Sequence, residues 1–582
     1  MRVLLLHPDD DFHGSWTREH WDSVIDTGRA PQSFYGEQSA ALGCPVFSIF
    51  DLAIEVEDLR IWRPLLEAGM GRVVDRFGID WWDVISLLVQ PEMQEVRLAA
   101  RLADKLIGCR TLASSRLSLT AQVLSLQLGI PLQVLDQGGK RLVPRILRRG
   151  TTALKNLSFD QLRQVVYDKY DPHYSLRRRL GRPPLPSTAV DPVVLLPSAY
   201  SNVTKTSFGY ARMLPEQKFL SILARESGAV SPVPPNVQMG TLASFATKKL
   251  DREELRSLEL RWHQLEQSMM EQSKLRPSVE LGIIKRARRW LRWGMAVRDA
   301  WIRVFETQSV VSCLSADDTN PYTRIPLLLA EQRGIPAVAC HHGALDGRMA
   351  FKKPRFSSYL AKGEMERDYL ERVCGIDASR IRPGAIPPPT RNGASLWHPN
   401  APWIVFFTEP YETDLWRVKA IYRELLPRLV AVARSSGKTL ILKLHPFEGI
   451  RQRQRLVAQT LSETVAQSDR GLVSITNSPL SPEILQKTWC AVTVESTVAS
   501  ECALVGIPVF LCGWLRHAYL GYTRQYVRFG VGRMLESPDD LLRIPAMLDE
   551  TTPKLDTAAR PVNEISPEAL SDVLGSPNPA RA

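Results

Sequence analysis

The sequence predicts an α/β protein with parallel sheets in two domains. Short aliphatic runs alternate with longer helical stretches through most of the chain, which is the pattern of parallel α/β layers. A chain of 582 residues with 44% hydrophobic residues can bury more than one core. A proline-rich segment also divides the strand-like runs into two groups. We therefore expect two α/β domains, with helical insertions.

The predicted strands are β-branched or aliphatic runs between turn residues. The first group comprises Val3–Leu6, Pro45–Ile49, Val84–Val89, Leu132–Leu135, Val193–Leu196, Val310–Leu314 and Ala337–His341. The second group comprises Trp403–Thr408, Thr439–Leu444, Leu472–Ile475, Cys490–Val494 and Val509–Cys512.

The boundary between the groups is predicted at three prolines, Pro387 to Pro389, which fit neither a helix nor a central strand. Residues 1–390 are predicted to form the N-terminal domain, and residues 391–550 the C-terminal domain. After Thr551 the chain mixes Pro, Ser, Asn and Ala without periodicity, so residues 551–582 are predicted to be a flexible tail.

Composition indicates a reducing compartment and an anionic partner. The eight cysteines are scattered and include no Cys-x-x-Cys pair, which favours buried free thiols. No apolar run reaches the roughly 20 residues of a membrane-spanning helix, and the N-terminal MRVLLLHPDDD predicts a buried strand in place of a signal peptide. We expect a cytoplasmic protein. The charge of +12 indicates an anionic partner: a nucleic acid, an acidic membrane surface, or a phosphorylated or acidic sugar. A nucleic acid is disfavoured, because no nucleic-acid-binding motif accompanies the charge.

The segment LGIIKRARRWLRWGMAVRDAWIRVF predicts an amphipathic helix. Basic residues occupy one face: Lys285, Arg286, Arg288, Arg289 and Arg292. The apolar face holds Ile283, Ile284, Ala287, Trp290, Leu291, Gly294 and Met295. Such a helix either lies on the anionic inner leaflet of a membrane, as a peripheral contact, or packs into a domain with a solvated basic face.

The run TLILKLHPFEG delivers His445 and Pro446 at the carboxyl end of a buried strand. Ligands of open α/β sheets bind at such strand ends. Pro446 restricts the backbone of His445, whose imidazole can donate a hydrogen bond to a phosphate oxygen. Lys443 adds positive charge nearby. A histidine with a purely structural role is the alternative.

The unit CAVTVESTVASECALVGIPVFLCGW predicts strand, turn, helix and strand. Glu495, Ser496 and Thr497 form the turn, and free N–H groups with hydroxyls at a helix start can bind a phosphate. Either hydroxyl can instead serve only as a helix cap. Glu501, further along the helix, can accept hydrogen bonds from a ribose or be solvated.

This arrangement, with E-x-x-x-x-G-x-P after it, resembles bacterial GT-B glycosyltransferases that use CMP-activated acidic sugars. These are the sialyl-, polysialyl- and Kdo-transferases of capsule and lipopolysaccharide biosynthesis; CDP-glycerol polymerases of wall teichoic acid look similar. The resemblance covers roughly Val310 to Arg533. It implies two facing Rossmann-like domains of the GT-B type, and phosphate contacts from His445, Ser496 and Thr497.

Two further clusters follow strands of the first group. Asp317, Asp318 and Asn320 follow one strand. The next strand is followed by His341, His342, Gly343, Asp346 and Arg348. The His-Gly pair resembles the acceptor domain of the same transferases. Their Asp/Glu-Asp/Glu-Gly motif is not reproduced, because the chain has Ala316-Asp317-Asp318-Thr319-Asn320.

A transferase of this kind needs a carboxylate that removes the acceptor's hydroxyl proton. The candidates are Asp317 or Asp318, then Asp346, then Asp9 to Asp11. The pair Asp317-Asp318 is also suited to a helix N-terminus. Arg324 and Arg348 can bind an acidic sugar or phosphate.

Asp9 and Asp11 form an Asp-x-Asp motif far from the donor half, so no metal is predicted, and the nucleotide-sugar is a substrate and not a cofactor. The sequence thus predicts transfer of an acidic sugar, such as Kdo or a sialic-acid-like sugar, to a surface glycan or glycolipid. The alternatives are a CDP-glycerol-type polymerase, a sugar-nucleotide epimerase and a non-catalytic polysaccharide-assembly protein.

Overall fold

The structure is a computed structural model with eighteen strands in three sheets among the residues that it describes. Every pairing between neighbouring strands is parallel. The described residues are 1–8, 10, 12, 16, 19–52, 67, 69–135, 189–246, 250–273, 275–341, 356–386, 396–408, 415–445, 450–478, 480–494, 496–515, 526–555 and 564–575.

The first sheet has five strands in the spatial order β3-β2-β1-β4-β5. They are β1 (Arg2–Leu6), β2 (Ser23–Asp26), β3 (Val46–Ser48), β4 (Thr111–Ser114) and β5 (Leu132–Val134). The chain winds outward from β1 to one side and, from β4, to the other. A doubly wound sheet of this kind has its ligand crevice where the winding reverses. We call the carboxyl ends of β1 and β4 the first crevice.

The second sheet has seven strands in the order β12-β11-β10-β9-β6-β7-β8. They are β6 (Ala189–Ser198), β7 (Phe219–Leu223), β8 (Val237–Thr241), β9 (Gln308–Ser315), β10 (Ala337–Cys340), β11 (Ser358–Ala361) and β12 (Ile381–Pro383). Its winding reverses between β6 and β9, and their carboxyl ends form the second crevice.

The third sheet has six strands in the order β15-β14-β13-β16-β17-β18. They are β13 (Trp403–Phe407), β14 (Thr439–Lys443), β15 (Val473–Thr476), β16 (Thr488–Thr493), β17 (Val509–Cys512) and β18 (Arg533–Leu535). The carboxyl ends of β13 and β16 form the third crevice.

Sixteen α-helices accompany these strands in the described part of the chain. They are α1 (Gln32–Leu42), α2 (Trp81–Lys105), α3 (Leu119–Leu128), α4 (Ser201–Met213), α5 (Arg252–Met270), α6 (Arg276–Glu280), α7 (Ile283–Ala287), α8 (Trp290–Thr307), α9 (Pro321–Gln332), α10 (Glu364–Asp368), α11 (Leu415–Ser435), α12 (Ile450–Thr464), α13 (Pro482–Gln486), α14 (Val498–Leu504), α15 (Ile544–Leu555) and α16 (Pro567–Val573).

The chain groups into two compact units. The first comprises Met1–Asp58, Gln94–Lys140 and Pro388–Val562, and contains the five- and six-stranded sheets. The second comprises Leu59–Met93, Arg141–Pro387 and Asn563–Ala582, and contains the seven-stranded sheet. Each has a buried apolar core, built in the first unit mainly between the six-stranded sheet and α11. In the second unit a core forms around β6, β9 and α4.

The predicted fold class, α/β with parallel Rossmann-like sheets and helices, is confirmed. The strands of the predicted first group belong, however, to two sheets and not to one. The predicted strand Val84–Val89 is wrong, because this segment lies inside α2. A short apolar run buried on all sides has the same composition in a strand and in a helix. Here Asp80 decides for the helix by accepting a hydrogen bond from the Trp82 N–H, at 3.1 Å.

The predicted flexible tail contains an ordered segment in the second unit. The Ile565 N–H donates to the Ala385 carbonyl at 3.0 Å, and α16 follows. Leu570 and Leu574, four residues apart, are fully buried on one side of this segment. The prediction of a flexible tail is therefore wrong for residues 564–575, because their apolar side chains complete a core. The proposed linker at Pro387 to Pro389 lies outside the described residues.

The amphipathic segment forms two helices, α7 and α8, in place of one. Ile283, Ile284, Leu291 and Met295, from its apolar face, are buried in the second unit. The apolar face therefore packs into the second unit, as the second interpretation predicts, and a peripheral membrane contact of the basic face stays a prediction. The basic face remains exposed at Lys285, Arg286, Arg289 and Arg292.

The cysteines agree with the prediction of buried free thiols, since all eight are buried and free. Burial raises the pKa of the Cys340 thiol to about 12, so this group stays protonated at neutral pH. Within the described ranges, no helix is long and apolar enough to cross a bilayer.

Candidate functional site

The third crevice brings Thr408 and His445 together at the ends of neighbouring strands. Thr408 directly follows β13, and its N–H donates to the Lys443 carbonyl at 3.1 Å. The Thr408 Oγ1 then accepts a hydrogen bond from the His445 N–H at 3.2 Å. Thr408 is buried and His445 is half-buried. The backbone that carries the predicted donor histidine is thus held against the next strand.

Lys443 occupies the last position of β14 and is largely buried. Its Nζ donates to the Leu444 carbonyl at 2.9 Å. The lysine therefore places a positive charge beneath the strand end, with one of its three N–H donors used by the backbone.

The turn after β16 forms the other wall of the third crevice. The Thr493 hydroxyl donates to the Phe407 carbonyl at 3.1 Å and ties the ends of β16 and β13 together. Ser496 and Thr497 follow, half-buried, with their carbonyls accepting from Ala499 and Ser500 at 3.0 and 3.1 Å. The helix they begin, α14, has only seven residues.

The predicted donor residues thus reach one edge of one sheet. His445 follows β14 and Ser496 follows β16, with β13 between these strands. Neighbouring strands are about 4.8 Å apart, so the ends of β14 and β16 are roughly 10 Å apart. Glu501 is exposed on α14. Pro446 and Glu495 lie outside the described residues.

Asp317 lies just beyond β9, at the second crevice, and is almost fully buried. Its Oδ1 accepts hydrogen bonds from the Thr319 N–H, at 2.8 Å, and from the Thr319 hydroxyl. Among the described residues, no group donates to its Oδ2 and no cation pairs with it. One oxygen of this carboxylate is thus available to accept a proton.

Asp318, the adjacent candidate, belongs to a buried ion network. Arg324 donates from Nη2 to both Asp83 oxygens, each at 2.9 Å, and its Nη1 lies 3.6 Å from the Asp318 Oδ2. Burial alone lowers the pKa of the Arg324 guanidinium, but the Asp83 and Asp318 carboxylates outweigh it and the net pKa is raised. All three side chains are at most 1% exposed. This network braces the floor of the second crevice.

The other predicted acceptor residues are partly described. Asn320 caps α9, since its Oδ1 accepts from the Tyr322 N–H at 2.9 Å. His341 follows β10 and is buried. His342, Gly343, Asp346 and Arg348 lie outside the described residues, as do Asp9 and Asp11.

Sequence reasoning missed two residues at the second crevice, Arg225 and Tyr200. Arg225 follows β7 and Tyr200 follows β6, the strands next to the crevice. The Arg225 Nη1 donates to the Tyr200 hydroxyl at 2.5 Å, and its guanidinium carbon lies 4.9 Å from the Tyr200 ring centroid. The run FLSIL before Arg225 has the composition of a buried strand and is the signal that could have found it.

Arg417, the third residue of α11, lies at the ends of β1 and β2, on one side of the first crevice. The guanidinium donates to both Asp26 oxygens at 2.7 Å, and to the Pro8 and Asp10 carbonyls at 2.9 and 2.7 Å. Arg417 and Asp26 are fully buried. Arg116 pairs with the Asp10 carboxylate in the same crevice. The chain itself thus occupies the place where a doubly wound sheet binds its ligand.

No protein-family model and no curated protein matches the chain. Among solved structures, the wall teichoic acid polymerase TagF matches at 11% identity with a TM-score of 0.33, over 74% of this chain and 92% of that one. UDP-GlcNAc 2-epimerase from Neisseria meningitidis, bound to UDP-GlcNAc, matches at 9% identity with a TM-score of 0.41, over 66% of this chain and 99% of that one. UDP-GlcNAc 2-epimerase from Methanocaldococcus jannaschii matches at 11% identity with a TM-score of 0.36, over 66% of this chain and 99% of that one.

Proposed function

We propose that the chain is a GT-B glycosyltransferase that takes its sugar from a nucleotide donor. The observation that carries the proposal is the convergence of Thr408, His445 and Ser496 on the carboxyl ends of three adjacent strands of the six-stranded sheet. Such a strand edge is where doubly wound sheets bind nucleotides. Histidine and hydroxyl groups donate hydrogen bonds to phosphate oxygens.

The proposed donor is a CMP-activated acidic sugar, such as Kdo or a sialic-acid-like sugar. Its single phosphate needs few donors, and the His445 imidazole with the Ser496 and Thr497 hydroxyls supplies three. Lys443 adds positive charge from beneath, while Glu501 accepts from the ribose hydroxyls. Pro446 and Glu495 are proposed, on sequence alone, to flank this site.

The proposed acceptor site is the second crevice, with Asp317 as the base. Its open Oδ2 takes the proton from an acceptor hydroxyl, whose oxygen forms a bond to the anomeric carbon of the donor sugar. The bond from that carbon to the phosphate oxygen breaks, and the nucleotide leaves with the bonding electrons. Hydrogen bonds at the third crevice stabilise the charge that develops on the phosphate. Asp346 is the second candidate for the base.

The proposed location is the cytoplasm, because eight buried free thiols fit a reducing compartment. The exposed basic residues Lys285, Arg286, Arg289 and Arg292 would attract an anionic inner leaflet by charge alone.

A thermal-shift comparison of CMP, CDP, UDP and GDP tests the donor site. A ligand that binds only the native state stabilises it, by about 2.7 kcal/mol at a hundred times its Kd. We expect CMP to raise Tm most, and H445A to remove most of that rise. H20A is the matched control, because His20 is exposed and its side chain has no partner among the described residues. Equal shifts in H445A and wild type would contradict the donor site.

The other functions give different results in the same experiments. Stabilisation by CDP alone would favour a CDP-glycerol-type polymerase. Stabilisation by UDP, with isomerisation of a UDP-sugar in the absence of an acceptor, would favour an epimerase. A protein that binds glycan but neither transfers nor hydrolyses any nucleotide-sugar would be a polysaccharide-assembly factor.

A further inference from the structure

A continuous row of arginine and aromatic side chains lies in the second unit. Five consecutive contacts join its members, with distances of 5.4, 5.5, 4.7, 5.8 and 4.9 Å to or between ring centroids. We call it the arginine–aromatic row, and its members in order are Arg289, Trp290, Trp293, Tyr322, Arg225 and Tyr200.

The row crosses the second crevice. Tyr200 follows β6 and Arg225 follows β7, while Tyr322 belongs to the first turn of α9, which follows β9. These elements surround the point where the winding of the sheet reverses. Trp290 and Trp293, from the first turn of α8, extend the row away from the crevice. Asp317, two residues past β9, lies at the same strand edge.

The two arginines of the row are exposed and carry no paired carboxylate among the described residues. Their guanidinium carbons lie 4.9 to 5.8 Å from aromatic ring centroids, within the range of cation–π contacts. Arg225 spends one N–H on the Tyr200 hydroxyl and keeps the other donors. The carboxylates of Asp83 and Asp318 are instead paired with Arg324. The row thus presents two oriented positive groups with no internal counter-ion.

We propose that the arginine–aromatic row binds an anionic glycan. The guanidinium edges match carboxylate or phosphate groups in a bidentate geometry. Trp290 and Trp293 are partly exposed between the two arginines, and the partly exposed Tyr200 lies beyond Arg225; all three add apolar surface for sugar rings. Two arginines at separate positions of one row match a chain with repeated negative groups better than a single small ion.

Asp317, at the strand edge that the row crosses, adds a hydrogen-bond acceptor to this region. Among the described residues no group donates to its Oδ2, so this oxygen can accept a hydrogen bond from a ligand hydroxyl. A glycan presents several hydroxyl donors on each sugar ring, whereas an RNA backbone presents a single 2′-hydroxyl per nucleotide among its phosphates. The site therefore suits a ligand with hydroxyls next to its anionic groups.

The role of this glycan as acceptor rests on the proposed function, but its binding does not. Binding is measured without any nucleotide donor, so a protein that fails the nucleotide experiments can still bind the glycan through the row. A failure of glycan binding would in turn not contradict the nucleotide site of the first unit, which the thermal-shift experiment tests separately.

Calorimetric titration of the full chain with oligosialic acid, an anionic glycan, tests the proposal. A neutral maltodextrin of similar length is the comparison. We expect oligosialic acid to bind and maltodextrin to bind at least tenfold more weakly. R225M should weaken the anionic glycan about 10- to 100-fold through loss of charge-assisted hydrogen bonds. R225K should retain part of the affinity, because it keeps the charge but not the planar fork.

R256M is the matched control, because Arg256 is an exposed arginine of the same unit on α5, outside the row. It should leave the affinity within about twofold of wild type. Y200F and R289M give further readouts, since each alters one contact at either end of the row. All variants are compared by Tm, so that a folding defect is recognised.

Three results would overturn the proposal. The first is an equal loss of affinity for oligosialic acid in R225M and R256M, which would mean that only the net charge of the protein matters. The second is equal binding of maltodextrin and oligosialic acid. The third is tighter binding, dependent on Arg225, to single-stranded RNA or to vesicles of acidic phospholipid without glycan. The last two ligands would identify a nucleic acid or a membrane as the partner.

Discussion

Arg417 at the first crevice and Arg225 at the second have opposite environments. Arg417 in the first crevice is fully buried and donates to the Asp26 carboxylate and to two carbonyls. Arg225 in the second crevice is exposed, stacks on tyrosine and has no carboxylate partner among the described residues. Both sheets share the same doubly wound order around the crevice. The topology creates a crevice in each sheet, and the side chains decide whether it is occupied.

The difference has an energetic basis. A charge buried without a partner is costly, so Arg417 and Asp26 stabilise the fold only as a pair with all their hydrogen bonds made. An exposed guanidinium keeps its hydration and can exchange water for a ligand at low cost. Arg417 therefore serves the stability of the fold, and Arg225 is suited to binding.

The largest expected effect concerns the base of the second crevice. D317N removes the proton acceptor while preserving size and the acceptor oxygen for Thr319. The kcat of sugar transfer should fall by about 10²- to 10⁴-fold, as for loss of a general base. Transfer kinetics with a saturating donor measure this, and Tm serves as the control. Near-wild-type turnover would return the role to Asp346.

R417M tests how much the buried Arg417 contributes to stability. It leaves Asp26 buried without its cation, so the free energy of unfolding should fall by about 3 to 5 kcal/mol. Urea titration measures the change. R428M is the matched control, since Arg428 lies on the same helix and pairs with the exposed Asp539 at 2.8 Å. It should cost less than about 1 kcal/mol. Equal losses of unfolding free energy in R417M and R428M would contradict the distinction between the buried and the exposed ion pair.

R225M tests how much the exposed Arg225 contributes to stability, for comparison with Arg417. Its free energy of unfolding should stay within about 1 kcal/mol of wild type, because an exposed cation–π contact contributes little to stability. The same urea titration measures it. A loss as large as that of R417M would mean that Arg225 also serves mainly the fold.

The smallest expected effect comes from an ion cluster that links α11 and α12. Lys419 and Arg423 donate to Glu463 at 2.6 and 2.7 Å, and these hydrogen bonds lower the Glu463 pKa to about 2. A depressed carboxyl pKa contributes stability above the unfolded pKa, near 4.5, that is lost as pH falls towards 2. Urea titrations of wild type and E463Q should differ most above pH 5 and converge near pH 2. A difference in unfolding free energy between wild type and E463Q that stays constant from pH 5 to pH 2 would contradict the lowered pKa of Glu463.

Much of the donor edge could be predicted from sequence. His445 follows a run of aliphatic residues and precedes proline, so its position at a strand end is a local property of the chain. The same holds for Asp317 after Val310–Leu314. Sequence could not choose between Asp317 and Asp318, because the choice depends on Asp83, 235 residues from Asp318 along the chain.

Errors arose where local patterns are ambiguous. The run Val84–Val89 is apolar on all sides, and burial in a helix or in a strand favours the same residues. The segment around Leu570 and Leu574 has too few apolar residues to indicate a core by itself. It is ordered because it completes an apolar cluster that includes Leu196 and Phe208.

The sequence by itself determined the alternation of strands and helices, because hydrophobic periodicity is a local property. It also placed His445 and Asp317 directly after strands, because chain direction is local as well. Only the tertiary structure decided that Arg417 is buried against Asp26 while Arg225 stays exposed. Arg417 and Asp26 lie 391 residues apart, and Arg225 meets Tyr322 from a different element. Such contacts form only once packing has brought distant segments together, so no local pattern records them.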